Sequence, residues 1–336
     1  RTDAALLIIT PAETQDDLTD FIAHKQTLGI TTITRTIEDI TINETGVDLQ
    51  EKIKRAIEHA YHDSSIRYVI LAGDAGQIPV RYTGHYAWHD MEEFINIPSD
   101  AYYADLFDYT GTFCTWDFNG NGMFGEYQPG EVNPDHCDFI PDVLLGRIPV
   151  NNVTELDTVI NKIISYESSV SGTEEWVNRI ILAGADTFCE DTGSGDTSGI
   201  PEGEYLKELI ADEFLTGYEL VKLYETDMYN RTSELTLQNL ITNINNGAGY
   251  VNFAYHGYYD GWDLPEGFFD NGDVSSLNNI NQLPVVFAHA CLTSEFDLEN
   301  PQCPHHGLSE KCFGETMLLH PGGGCVGYFG ASRSAL

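Results

Sequence analysis

Two apolar runs in the second half of the chain end in residues that could do chemistry together. Tyr250–Tyr255 (YVNFAY) leads into His256 and Gly257, and Val285–Ala290 (VVFAHA) leads into Cys291. A thiol near neutral pH needs a base or a cationic neighbour to become a strong nucleophile. An imidazole, with an ordinary pKa of about 6.5, supplies one. In open parallel α/β sheets, reactive groups collect beyond the carboxyl ends of the strands. Adjacent strands there put His256 and Cys291 side by side. Gly257 lacks a Cβ, so its amide can approach a bound carbonyl oxygen. With the amide of Cys291 it would form an oxyanion hole. Taken singly, a cysteine after a strand is more often a plain core residue. Both groups at strand ends, with a glycine after the histidine, bring the chemical reading level with that one.

A second constellation lies in the first half. Asp117, Asn119 and Asn121 place oxygen side chains at alternate positions, Gly122 follows, and Glu126 comes later. This is the logic of an EF-hand-like loop that offers oxygens to a hard cation. Calcium is the expected ion, with Asp117, Asn119, Asn121 and Glu126 as ligands. The twelfth position is Gln128 rather than Glu, a departure from the full pattern. The overlapping Gly120-x-Gly122-x-x-Gly125 is not a dinucleotide fingerprint, because no buried strand precedes it and Asp117 would repel a pyrophosphate. His85 and His89 have zinc spacing only on a helix, and Gly84 argues against one.

These residues need a scaffold, and the pattern describes one. Ala4–Thr10, Thr31–Thr36 and Tyr68–Leu71 read as strands, separated by helical patterns at Asp16–Leu28 and Asp48–Tyr61. This βαβαβ order implies a mostly parallel sheet. A long insertion, about residues 77–141, is rich in Tyr, Asp, Gly and Pro and reads as a functional loop. Val143–Ile148 returns as a strand, followed by a helix at Val153–Glu167. A second α/β series follows. Its strands are Arg179–Ala183, Glu219–Tyr224, Tyr250–Tyr255, Pro284–Ala288 and Val326–Phe329. Its helices are Glu204–Phe214, Thr232–Asn245 and Lys311–Leu319. The fold class is α/β with two fused lobes, 1–170 and 171–336, each a mostly parallel sheet flanked by helices.

Composition limits the partners. The 336 residues carry 16 Lys+Arg against 53 Asp+Glu, a net charge of −37. Nucleic acid is excluded as an expected partner, because phosphate binding runs on Lys and Arg. An anionic membrane surface is disfavoured for the same reason. No apolar run approaches the roughly 20 residues of a membrane span. Divalent cations and basic peptides fit the field. Seven cysteines is an odd number. In an oxidising compartment six could pair, with Cys114/Cys137 and Cys303/Cys312 as candidates, but spacing does not assign connectivity.

The chain resembles the gingipain family of cysteine peptidases, which share the caspase-like fold. The carrying segments are Gly247–Gly257 (GAGYVNFAYHG), Asn281–Cys291 (NQLPVVFAHAC) and Lys311–Thr316 (KCFGET). Leu71–Pro79 (LAGDAGQIP), Ser99–Tyr103 (SDAYY) and Leu145–Ile148 (LGRI) match as well, in order. The resemblance implies a caspase-like α/β fold, Cys291 as nucleophile and His256 as general acid/base, with the amides of Gly257 and Cys291 as the oxyanion hole. It also implies an acidic residue behind the histidine. Asp186, in the loop after Arg179–Ala183, is the nearest candidate, and Asp stands here where the family tends to have Glu. Cleavage after Arg or Lys would need a pocket carboxylate, because a buried cation must be paired. Asp196, in the acidic stretch from Cys189 to Glu204, is the candidate. The family implies an extracellular or cell-surface endopeptidase acting on proteins or peptides. It also implies further domains of a longer precursor, and Arg333 reads as a processing signal. The rival expectation is a non-enzymatic, calcium-dependent binding or adhesion module on the same scaffold. A metallohydrolase built on His85 and His89 is the third.

Overall fold

The computed structural model describes residues 5–86, 94–126, 135–169, 172, 174–188 and 199–335. The chain divides into two compact units. Unit 1 is 1–157 with 299–306, and unit 2 is 158–298 with 307–336. The division therefore falls earlier than the expected junction near residue 170, and a short segment of the second half belongs to unit 1.

Unit 1 is built on strands β1 (Ala5–Thr10), β2 (Thr31–Thr36), β3 (Ile66–Ala72) and β6 (Leu144–Ile148), in the spatial order β2-β1-β3-β6. All three pairings are parallel. Every residue of β1 is buried, as a strand covered on both faces requires. Helices α1 (Thr19–Thr27), α2 (Ile37–Asn43) and α3 (Leu49–Ser64) connect the strands. The carboxylate of Asp48 accepts the Glu51 amide at 2.8 Å and so caps α3. Leu7, Ile9, Ile53, Ile57, Val69 and Leu71 form the core between sheet and helices.

The insertion is not a bare loop. It contains an antiparallel hairpin, β4 (Arg81–Tyr86) with β5 (Phe94–Ser99), and a helical turn α4 (Ala101–Ala104). Tyr102, Tyr103 and Trp116 from this stretch are fully buried in the unit 1 core. His85 lies in β4 and not on a helix, and His89 lies outside the described residues. The zinc reading therefore loses the geometry it required.

Unit 2 holds α5 (Val153–Ser169) from Thr158 onward, then β7 (Arg179–Gly184), α6 (Glu202–Phe214), β8 (Glu219–Tyr224), β9 (Ser233–Glu234) and α7 (Leu237–Asn245). It continues with β10 (Tyr250–Ala254), the short strands β11 (Gly257–Tyr258), β12 (Gly261–Leu264) and β13 (Gly267–Asp270), then β14 (Val285–His289), α8 (Phe313–Leu319) and β15 (Gly327–Phe329). The main sheet runs β15-β14-β10-β7-β8-β9, parallel throughout. β11, β12 and β13 make a small antiparallel sheet that the sequence pattern did not suggest. The expected helix Thr232–Asn245 starts five residues later, because Ser233–Glu234 extends the sheet beside β8.

One arginine ties the insertion to the sheet of unit 1. The Arg147 side chain, only 6% exposed, grips both carboxylate oxygens of Asp100 at 2.7 Å. It also donates to the carbonyls of Gly73 and Ile78 at 2.8 and 2.9 Å. A lysine keeps the charge but not the fork. Arg147→Lys should therefore lower the unfolding free energy by about 1–3 kcal/mol, read from a urea melt, because it strands buried acceptors.

Candidate functional site

The segments that carry the histidine and the cysteine come together through the register of two strands. β10 pairs with β14 from Tyr250↔Val285 to Ala254↔His289. Two residues beyond the last pair on each strand stand His256 and Cys291. The contact is visible at Gly257. A Cβ built there would lie 2.8 Å from Ala290 Cβ, 2.8 Å from the Cys291 carbonyl and 2.7 Å from Thr293 Cγ2. Only glycine allows the histidine segment to lie this close to the cysteine turn.

The cysteine turn is itself constrained. Leu292 has φ of +63°, a left-handed conformation that a branched side chain adopts at a cost. The turn is held by its neighbours. Gly314 at the start of α8 donates to the Thr293 carbonyl at 2.8 Å, and Phe313 donates to the Tyr259 carbonyl at 2.7 Å. Leu292 donates to the Arg333 carbonyl at 3.2 Å and Ser294 to the Ala331 carbonyl at 3.0 Å. The Cys291 thiol is half-buried. It donates to the Ala335 carbonyl at 3.3 Å and accepts from the Ala335 amide at 3.4 Å. Arg333 is 5% exposed, with its guanidinium between the fully buried carboxylates of Glu295 and Asp297. A side chain so enclosed is a structural anchor rather than the exposed processing signal expected from sequence.

His256 is exposed, and its ring is set from behind by backbone. Nε2 lies 3.1 Å from the Thr187 carbonyl. A carbonyl only accepts, so Nε2 carries the hydrogen of the neutral ring and Nδ1 is left as the basic nitrogen. Asp186, expected in this role, is the preceding residue. Its amide donates to Glu225 at 3.0 Å, and its buried Oδ1 accepts no hydrogen bond from the described residues. The right loop reaches the histidine, through a main-chain oxygen that no side-chain pattern could reveal. Behind His256 the β11–β13 sheet is locked by Trp262, which stacks on Phe253 at 4.4 Å and donates to the Tyr328 hydroxyl at 2.9 Å.

The first turn of α6 lies against the same strand ends. A Cβ at Gly203 would meet the carbonyls of Ala254 and Ala185 at 2.3 and 2.5 Å, so this helix can pack here only through glycine. Glu204, expected at the start of a helix and at the end of the acidic stretch, is a fully buried helical residue that accepts from the Thr226 amide and hydroxyl at 2.7 Å each. It is therefore committed to structure. Asp196 lies outside the described residues. Also on α6, Lys207 is fully buried and donates to Asn252 Oδ1. Burial lowers its ammonium to about 7. His289, at the end of β14, is pushed down to about 4 by burial and then by the charge of Lys207.

The proposed metal ligands also gather. Asn119 and Asn121 both donate their side-chain amides to Glu126 Oε2 at 2.8 Å. The Asp117 carboxylate accepts the amides of Asn121 and Gly122 at 2.9 and 3.2 Å. One residue missed from sequence joins them. The buried carboxylate of Asp135 accepts from the amides of Phe118 and Glu126 at 3.2 and 2.9 Å. Its pKa is raised by burial and by the charges of Glu126 and Asp117.

Comparison with known proteins places the chain. The model of peptidase family C25 matches residues 1–336. The chain belongs to peptidase family C25. Gingipain R2 of Porphyromonas gingivalis (strain ATCC BAA-308 / W83) is 25% identical over 317 residues, covering 93% of this chain and 34% of that protein. Lys-gingipain HG66 of the same species is 24% identical over 199 residues, 59% of this chain and 10% of the relative. This family member therefore spans about a third of the length of the first of these relatives. The crystal structure of the Arg-specific cysteine proteinase gingipain R has the same fold, with a TM-score of 0.69 at 22% identity over all of this chain and 64% of that one. The mature and pro-domain complex of the Porphyromonas gingivalis protein aligns at 0.66, with 22% identity over 99% of this chain and 65% of that one. The α/β fold with parallel sheets flanked by helices, expected from sequence, is thus the gingipain fold.

Two outcomes are expected for this C25 domain. Gly257→Ala pushes a methyl into the cysteine turn and should cut the peptide hydrolysis proposed below by roughly a hundredfold, since small misplacements at a reacting centre cost that much. A melting scan would separate this from unfolding. The second concerns acid. Between pH 6.5 and about 4 the unfolded state protonates His289 and the folded state does not, so this group's contribution to stability is lost as pH falls through that window. His289→Asn should flatten the fall in melting temperature there.

Proposed function

We propose that the chain is a cysteine endopeptidase domain in which Cys291 is the nucleophile and His256 the general acid/base. One observation carries this reading, the seating of Gly257 against Ala290, Cys291 and Thr293 at the ends of paired strands β10 and β14. His256 Nδ1 takes the thiol proton, and the Cys291 thiolate attacks the scissile carbonyl. The amides of Gly257 and Cys291 would stabilise the oxyanion. The imidazolium then protonates the leaving amine, and water hydrolyses the thioester to regenerate the thiol. The Thr187 carbonyl holds the ring through this cycle, with Asp186 beside it.

Basic residues at the cleaved position are the proposed preference. The reading draws on relatives named for Arg and Lys and on the net charge of −37, which favours cationic peptides. Asp196 is the proposed pocket carboxylate. The working location is extracellular or at the cell surface. Among the described residues no helix is long and apolar enough to cross a membrane.

Calcium is the proposed cofactor. The donor set is all oxygen and crowded with like charge at Asp117, Glu126 and Asp135, and the pKa of Asp135 is raised first by burial and then by those neighbouring charges. A hard divalent cation suits such a set. Asp117, Asn119, Asn121 and Glu126 would hold it, with Asp135 bracing the loop. The ion would stiffen the insertion of unit 1 and take no part in the bond cleavage.

Cys291→Ala should abolish peptide hydrolysis while leaving the melting temperature within a degree or two, and retained turnover would overturn the assignment. A peptide library read by mass spectrometry should show cuts after Arg or Lys; cuts after apolar or acidic residues would remove the basic preference. Chelation should lower the melting temperature by about 3 °C or more, reversed by added calcium. No shift would remove the calcium reading.

A further inference from the structure

Cys114 and Cys137 bring their sulfurs to 3.9 Å across 23 positions of sequence. Both are buried, 4% and 5% exposed, and both lie in unit 1. The metal loop lies wholly between them. The Cys114 amide donates to the Leu106 carbonyl at 2.9 Å, which fixes one side of the pair. Cys137 follows Asp135 by two residues, and the Asp135 carboxylate braces the metal loop through Phe118 and Glu126. Lys54, fully buried, donates to the Cys114 carbonyl at 2.5 Å. The Cys114 thiol is lowered by its hydrogen bond with Cys137, by the Trp116 amide and by the Lys54 charge.

We propose that Cys114 and Cys137 form a disulfide under oxidising conditions, and that this bond sets the metal loop in its binding geometry. The second half of the proposal rests on the calcium reading; the bond itself does not. A disulfide brings the sulfurs from 3.9 Å to about 2.05 Å. The oxidant is a disulfide donor such as oxidised glutathione. The Cys114 thiolate attacks one donor sulfur, forms a mixed disulfide and releases one donor thiolate. Cys137 gives up its proton and attacks the Cys114 sulfur, which releases the second donor thiolate. Two protein thiols are oxidised by two electrons, and the donor leaves as two thiols carrying the two protons. Because the pair is enclosed, the exchange takes place before the insertion closes over it during folding.

The test uses the whole chain, folded in a glutathione redox buffer, blocked with iodoacetamide and digested without reduction. The expected product is one peptide carrying Cys114 linked to one carrying Cys137. Recovery of both positions as alkylated thiols overturns the bond. Calcium is then titrated against thermal unfolding, with and without reductant. Half-saturation should fall at a several-fold lower calcium concentration in the oxidised protein. The Cys114→Ser, Cys137→Ser double variant should keep the higher midpoint under both conditions. Equal midpoints for the oxidised and reduced protein overturn the coupling. A mapped bond with no calcium response in any form removes the calcium reading and the coupling together, and leaves the bond standing.

Discussion

The parallel pairing of β10 with β14 is the constraint on which the site depends. Parallel strands hold a fixed register, and here it runs to Ala254 opposite His289. Everything after those residues is loop, and loops gain chemistry only if a rigid frame delivers them together. The delivery is tight enough that Gly257 has no room for a methyl group. A shift of one residue in either strand would turn alternate side chains to the opposite face and misalign the segments that carry His256 and Cys291. The hydrophobic core of unit 2, with Phe253, Trp262, Phe269 and Phe313 packed ring against ring, resists that slip.

Unit 1 solves a different problem. It carries a long insertion that is strongly acidic, and a loop of that kind has little intrinsic reason to order. Order comes from aromatic burial and from a few cations placed inside. Arg81 grips Asp48 with both nitrogens at 2.8 and 2.9 Å and lies 3.8 Å over the Phe124 ring. Lys54 sits 4.3 Å from the Tyr102 ring centroid, and burial takes it down to about 8. In a chain with so few basic residues, Lys54, Arg81 and Arg147 are spent in this one region. The acidic loop above them collects its carboxylates at Asp117, Glu126 and Asp135, which is where the field of the molecule would concentrate a divalent ion.

Much of the scaffold was legible because burial writes a pattern. Ala5–Thr10 and Tyr250–Ala254 are continuous apolar or small runs, as strands covered on both faces must be. Thr31–Thr36 and Glu219–Tyr224 match the structure residue for residue. What escaped has common physical causes. The small sheet β11–β13 is made of two- to four-residue strands, too short for any periodicity to show. Ser233–Glu234 is polar and pairs only because β8 offers it an edge. Glu202 falls in the acidic stretch before the expected helix at Glu204, yet it opens α6 because Gly203 lets that turn press onto strand ends. Asp135 lies nine residues beyond Glu126 and enters the oxygen-rich loop only by folding back.

The sequence by itself determined the elements and the chemistry-bearing residues, since side-chain type and local periodicity follow from nearest neighbours along the chain. It carried the α/β order, the strands before His256 and Cys291, the oxygen-rich turn at Asp117–Glu126, and the family resemblance. Tertiary structure alone decided which groups face which. The Thr187 carbonyl, not the Asp186 carboxylate, meets the His256 ring, because that contact is between backbone and a residue 69 positions away. Arg333 is enclosed by Glu295 and Asp297 rather than displayed, because charge pairing in a dry interior is set by packing and not by sequence distance. A main-chain oxygen has no signature in the amino-acid code, and only the folded backbone shows where it points.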